Sequence, residues 1–313
     1  MGIVYDRFNN LVAVEYEVTT ANNVKHPILL DLGKGECAKL ENVDILNGSV
    51  KRRQGYTEVS LGNCHSGWSH PTKEEGYYVK DDTLFLFDGV SHISIVSVTG
   101  PRCCFCQVND LVIYSDGATI GAIKDSAVVS IPVPVEDYKI PLIGGQCLEF
   151  FNGVLYIGSG TTIYKSDPYS LFMDSRFCVE SDFDSRVTMI KAVDAGLYVS
   201  TELETFFLTD ELRVLADYGC ILGTDITIKA ENIKNGGEGT GVLWCSLRGV
   251  CFGDNTGNFT NITQENYNFD YGAVGGALLR FRDGHIHYLA STFKENTRFN
   301  PFIQPVLDVD IVD

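Results

Sequence analysis

Cysteine and histidine are the residues of this 313-residue chain whose types could do chemistry, and it carries ten of the first and six of the second. The densest group is Cys103-Cys104-Phe105-Cys106, three soft metal ligands within four positions. On a strand, Cys104 and Cys106 face one side and Cys103 the other. Three thiolates therefore converge on one ion only across a bulge. No second cysteine pair at zinc-ribbon spacing accompanies them. Core packing at the start of a sheet is the favoured reading, with metal binding left open. Other cysteines sit inside apolar runs: Cys147 in Gln-Cys-Leu-Glu-Phe-Phe, Cys178 in Phe-Cys-Val, Cys245 in Leu-Trp-Cys-Ser-Leu, Cys251 in Val-Cys-Phe. Free cysteine behaves as a small buried hydrophobe, so reduced, buried thiols are expected rather than a disulfide framework.

His285 and His287 flank Ile286 and share one strand face, which suits two metal ligands. A third ligand is not visible, and two histidines on an outward face fit the spacing equally well. Cys64-His65 with His70 is the other histidine grouping. Asp81-Asp82, Asp182 and Asp184 stand beside turns, where aspartate bonds the backbone, and read as turn residues rather than an acid–base pair. The chain contains no GxxxxGK[ST] phosphate loop and no Gly-x-Ser-x-Gly elbow. No catalytic residue, metal site or cofactor is expected, and the chain is not expected to be an enzyme.

The elements that would position these residues follow a repeat. Around Phe150-Phe151-Asn152-Gly153-Val154-Leu155-Tyr156-Ile157, an apolar run meets an Asn-Gly turn and then a second strand. The same grammar recurs with anchors at Gly76, Asp110, Gly153, Gly196, Gly241 and Gly284. Ten residues beyond them lie Leu86, Ile120, Ile163, Phe206, Cys251 and Lys294, apolar in every repeat but the last. Periods of this size, built from short strands without a helical pattern, mark propeller blades. The expected fold is all-β: a single six-bladed β-propeller with blades near 61–101, 102–146, 147–186, 187–225, 226–270 and 271–313.

Residues 39–60 read as two short strands around Asn47-Gly48, a hairpin placed to complete the last blade as a clasp, since an open sheet edge is a liability. Residues 1–38 are a leading arm of strand-like pieces such as Leu11–Val18. The start, Met1-Gly2-Ile3-Val4-Tyr5-Asp6-Arg7, has no basic region followed by an apolar core, so no secretory signal is expected. No apolar run reaches membrane-spanning length.

Charge narrows the partners. Lys plus Arg is 24 against 41 Asp plus Glu, a net charge of −17, where a nucleic-acid binder would show a basic stripe. The one basic knot is Lys51-Arg52-Arg53, inside the clasp. It is either a solvated strand edge or a contact to an acidic neighbouring subunit.

Three segments carry a family resemblance. Leu40-Glu41-Asn42-Val43-Asp44-Ile45-Leu46-Asn47-Gly48-Ser49-Val50-Lys51-Arg52-Arg53-Gln54-Gly55-Tyr56 resembles the N-terminal signature of tailed-bacteriophage virion propellers. Thr161-Thr162-Ile163-Tyr164-Lys165-Ser166-Asp167-Pro168, and Ser246-Leu247-Arg248-Gly249-Val250-Cys251-Phe252-Gly253-Asp254 with Asn261-Ile262-Thr263 downstream, resemble the same family. It is the family of tail-hub, DNA-stabilisation proteins of short-tailed phages. The resemblance implies a structural virion component made in the host cytoplasm, in the tail, with phage tail or neck proteins as partners. It further implies a homo-oligomeric ring, such as a hexamer, and possible passage of DNA; the acidic charge and the lack of a long apolar run predict no sequence-specific nucleic-acid binding and no membrane. A propeller module for a ligand such as host-surface glycan is the alternative, and would want exposed aromatics at turns. A propeller hydrolase would need acids or histidines converging from the blade starts, and the segments at His65-Ser66-Gly67-Trp68, Cys104-Phe105-Cys106, Leu148-Glu149-Phe150 and Met189-Ile190-Lys191 show no such set.

Overall fold

The computed structural model describes residues 64–233, 235–263, 272–280 and 286–292 in full, and the backbone of strands at Gly2–Tyr5, Leu11–Thr19, Lys25–Ile28, Val43–Leu46, Ser49–Arg52, Val274–Arg282, His285–Phe293 and Val306–Asp310. Contacts divide the chain into Met1–Ser60 and Leu61–Asp313. In the first unit, Gly2–Tyr5, Leu11–Thr19 and Lys25–Ile28 pair as one antiparallel sheet. Val43–Leu46 pairs with Ser49–Arg52 as a hairpin, Lys51 standing opposite Asp44. The remainder of the 39–60 segment, Arg53 and the side chains of Lys51 and Arg52 lie outside the described residues.

The second unit is all-β, and its only described helical turn is a single 3-10 turn at Ala230–Asn232. Antiparallel sheets follow one another along the chain, their blade strands paired in chain order. They span Cys64–Ser97, Cys104–Val129, Cys147–Asp182, Val187–Ala216 and Ile226–Asn261, each with four strands, and then Val274–Asp310 with three described. The sequence anchors fall at the second strand of each: Gly76 and Gly196 open it, Asp110 and Gly153 precede it in the turn, and Gly241 is its second residue. The partners ten residues on fall in the third strand, where Leu86, Ile163, Phe206 and Cys251 are buried. Gly284 and Lys294 lie outside the described residues.

Turn chemistry explains the meanders. Asp81-Asp82, Asp125-Ser126 and Asn152-Gly153 each have positive φ at both central residues, the condition of the tight hairpin turn whose twist matches its strands. Asp81 and Asp82 are therefore turn residues, as their position in the sequence indicated.

Alternation along the strands gives the second to fifth sheets two apolar faces, and each of these faces packs on a neighbour. Val112 and Tyr114 join Tyr77, Val79, Leu84 and Leu86 of the preceding sheet, while Ile113 joins Leu155 and Ile157 of the following one. The same exchange continues with Ile163 against Val199, Tyr198 against Trp244, and Leu243 against Tyr288. First strands of successive sheets are neighbours, notably Cys104–Val108 beside Cys147–Phe151 and the latter beside Val187–Val193. Sheets stacked face to face around neighbouring first strands have the layout of propeller blades. One addition breaks the pattern: Lys139–Pro141 and Phe172–Asp174 form a small separate sheet between the second and third blade positions.

Candidate functional site

The first strands bring together a buried ionic group. Glu149 stands on the first strand of the third sheet, Lys191 on that of the fourth, and Asp225 immediately before that of the fifth. Lys191 Nζ lies 3.4 Å from Glu149 Oε2 and 3.4 Å from Asp225 Oδ2. Each side chain keeps a fifth of its surface exposed or less, at 20%, 19% and 16% for Lys191, Glu149 and Asp225. Burial pushes the Glu149 carboxyl upward, opposed by the Lys191 charge. Burial alone would lower the Lys191 ammonium, but Glu149 and Asp225 hold it above the ordinary lysine range. A lysine so held stays protonated at neutral pH and is a poor nucleophile. The absence of convergent acids expected at the blade starts is thereby corrected: two carboxylates do converge, on a lysine. Sequence reasoning missed this because the three residues lie in three different repeats.

Arg102 adds a second cross-sheet tie. Its Nη1 donates to Gly275 O at 2.6 Å and to Leu222 O at 3.4 Å, joining the approach to the second sheet with the fifth and sixth. The guanidinium lies against Gly223, where a Cβ would fall 1.5 Å from Nη2, and φ there is +83°, a backbone conformation that favours glycine.

Asp116 locks the first sheet to the second. Its Oδ2 accepts Thr99 N at 2.9 Å and Gly100 N at 3.3 Å, while Oδ1 accepts Ala118 N at 3.0 Å and Thr119 N at 2.6 Å. Burial alone would raise this carboxyl, but the hydrogen bonds hold it far below the usual range. Serines at the ends of second strands form a recurring latch. Ser115 Oγ accepts Gly145 N at 2.9 Å and donates to Thr119 O at 2.8 Å. Ser200 Oγ accepts Cys220 N at 2.7 Å and donates to Glu204 O at 3.0 Å. The sequence signal was present, since Ser115, Ser200 and Ser246 follow their anchors by four or five residues.

The cysteine cluster divides as strand alternation requires. Cys103 packs toward the first sheet, Cys104 and Cys106 toward the third. The Cys104 thiol donates to Gly145 O at 3.4 Å. Burial pushes the thiols up: Cys103, Cys147 and Cys251 to about 12, Cys245 to about 11, with Cys104, Cys106 and Cys220 also raised. Thiols in this state are poor nucleophiles and poor ligands.

His287 is 3% exposed and Ile286 is buried beside it, so the outward-face reading is corrected for His287. The His285 side chain lies outside the described residues. His65 Nδ1 is 2.8 Å from Ser66 Oγ, and His70 Nδ1 accepts the backbone N–H of Thr72 and of Lys73. Burial lowers both histidines first, with Arg102 and Lys73 respectively adding to the effect. Among the described residues, no three His, Cys, Asp or Glu side chains are grouped to hold a metal ion. Asp182 accepts the Thr162 hydroxyl across its sheet. Trp244 is fully buried, and Trp68 stacks on Phe105 at 5.8 Å. Among the described residues, the exposed tyrosines, phenylalanines and tryptophans are Tyr138, Tyr169 and Phe177, near the small extra sheet.

No protein-family model and no curated protein matches the chain. Among solved structures, it is similar to Hsv2 of Kluyveromyces lactis, with 12% identity and a TM-score of 0.43 over 83% of this chain and 88% of that one. It is also similar to the extracellular domain of BT4673 from B. thetaiotaomicron, with 11% identity and a TM-score of 0.49 over 77% of this chain. The match covers 33% of that second chain, about a third of its length. The computationally designed protein Ika8 matches with 10% identity and a TM-score of 0.40 over 69% of this chain and 65% of that one. Likenesses of this size carry no argument of their own.

Proposed function

We propose that this chain is a six-bladed β-propeller serving as a structural component of a bacteriophage tail, an oligomeric hub or tail-associated ring rather than an enzyme. The ring closes when the Val43–Arg52 hairpin completes the last blade. In support, the last blade sheet has three described strands where the five blade sheets before it have four, and an uncovered edge invites aggregation. The observation that carries the structural role is the use made of the reactive groups. Lys191, Glu149, Asp225, Arg102 and Asp116 each tie one sheet to another, and the buried thiols are held protonated. The Leu40–Tyr56, Thr161–Pro168 and Ser246–Asp254 resemblance directs that scaffold to a virion. Its partners are then tail or neck proteins and further copies of itself, with DNA passing rather than bound.

The test is genetic and compositional. An amber stop in the gene, in a phage that encodes it, should give particles with defective tails and no infectivity. Mass spectrometry should find the protein in purified wild-type virions. Infectious virions that lack the protein overturn the proposal. A second reading, a saccharide-binding module, has the exposed Tyr138, Tyr169 and Phe177 in its favour. Binding on a glycan array that is lost in Tyr169→Ala would select it.

A further inference from the structure

The small sheet of Lys139–Pro141 and Phe172–Asp174 packs against the core shared by the second and third sheets, and exposed apolar side chains flank it. Val135, Tyr138 and Phe177 are exposed there, at 106%, 56% and 68%. Tyr138 has φ at +70°, a conformation uncommon for a bulky residue and a reason to look for function. The rim is held rigid: Lys139 Nζ pairs with Asp167 and Asp174, and Asp174 receives Arg176 Nε at 2.9 Å and Nη2 at 2.7 Å. The Arg176 guanidinium sits 4.3 Å from the Tyr138 ring centre and 5.3 Å from that of Phe177. Arg176 thus already takes part of these rings, and the 56% and 68% of Tyr138 and Phe177 that remain exposed are what a further guanidinium would stack on. Glu136 and Asp137, next in sequence to Tyr138, are exposed and enter no ion pair among the described residues. Aromatic faces beside uncompensated carboxylates fit a basic, arginine-containing segment.

The chain itself carries one. Lys51-Arg52-Arg53 is the sole run of three basic residues in a sequence of net charge −17. We propose that the Glu136–Tyr138 and Phe177 rim seats the Lys51-Arg52-Arg53 segment of a second copy of this chain. The contact joins two different surfaces, so repetition gives a closed ring or a filament. This inference rests on the oligomeric part of the reading above and not on the virion assignment; its readout needs no phage.

The test is sedimentation equilibrium of the full chain at ~20 mM and ~300 mM salt, conditions that weakly and strongly screen exposed charges. The wild type should associate at low salt and dissociate as salt rises. Glu136→Lys with Asp137→Lys, and separately the charge reversal of Lys51, Arg52 and Arg53 to Glu, should each weaken association about tenfold or more. An equimolar mixture of the two variants should associate again, because each then offers the charge that the other lost. Tyr138→Ser with Phe177→Ser should weaken association without altering the melting of the monomer. Circular dichroism and a cooperative melt establish that each variant is folded. A wild type that stays monomeric at every concentration, reversals that leave association unchanged, or a mixture that stays monomeric overturns the proposal.

Discussion

Replacing Lys191 by methionine should make this protein most fragile at neutral pH and progressively sturdier on mild acidification. At 3.4 Å from each carboxylate, the direct attraction is about 5 kcal/mol per pair at an effective dielectric near 20. Desolvation of all three groups offsets much of that, so the net value of the cluster is small. Removing the lysine alone is different, because Glu149 and Asp225 are left buried and uncompensated, at a cost of about 3–5 kcal/mol. Burial already raises Glu149, and loss of the lysine raises it further. A carboxyl whose folded-state pKa lies above its unfolded value, about 4.3, favours folding while protonated; that contribution fades as pH climbs toward the folded-state pKa. Urea unfolding of Lys191→Met should therefore show stability rising as pH falls from 7 to about 5, with an unchanged m-value. Combining Lys191→Met with Glu149→Gln and Asp225→Asn removes the charges together and should recover most of the loss. A Lys191→Met protein within about 1 kcal/mol of wild type at pH 7, or one that acid does not help, refutes the reasoning.

Asp116→Ala strands four backbone N–H groups and should cost about 3–5 kcal/mol by urea titration, with Asp116→Asn intermediate. Because the Asp116 carboxyl is held below its unfolded range, its contribution is present above pH ~4 and lost as pH falls further, so Asp116→Asn should flatten the acid limb of the wild-type stability curve. Gly223→Ala should lower the thermal midpoint more than Arg102→Ala does, since the added Cβ meets the guanidinium and also opposes a φ of +83°; equal melting of the two would count against this. Deletion of residues 1–60 should give aggregating protein and deletion of 1–38 a milder defect, as judged by size-exclusion chromatography; a soluble, cooperatively melting product of the larger deletion would show that the ends close another way.

The repeat was legible in the sequence because a sheet that is covered on both faces needs apolar residues at fixed offsets from its turns. Leu86, Ile120, Ile163, Phe206 and Cys251 sit ten residues beyond their anchors and end in the third strand of successive sheets. The turns were legible for a local reason: Asn152-Gly153 and Asp81-Asp82 tolerate positive φ, and that preference lies in the residues themselves. Strand parity also told correctly that Cys103 and Cys106 face opposite interfaces. Tertiary structure alone decided what those interfaces hold. His287 is buried although its two-residue spacing from His285 fits either face, because alternation says which residues share a side and not which side is covered. Glu149, Lys191 and Asp225 meet only because three sheets present their first strands to one another. The Arg102 tie to Gly275 spans 173 residues of chain. Periodicity is a property of one segment and its own backbone, so sequence carries it. Convergence depends on how separate segments stack, and no offset along the chain encodes that.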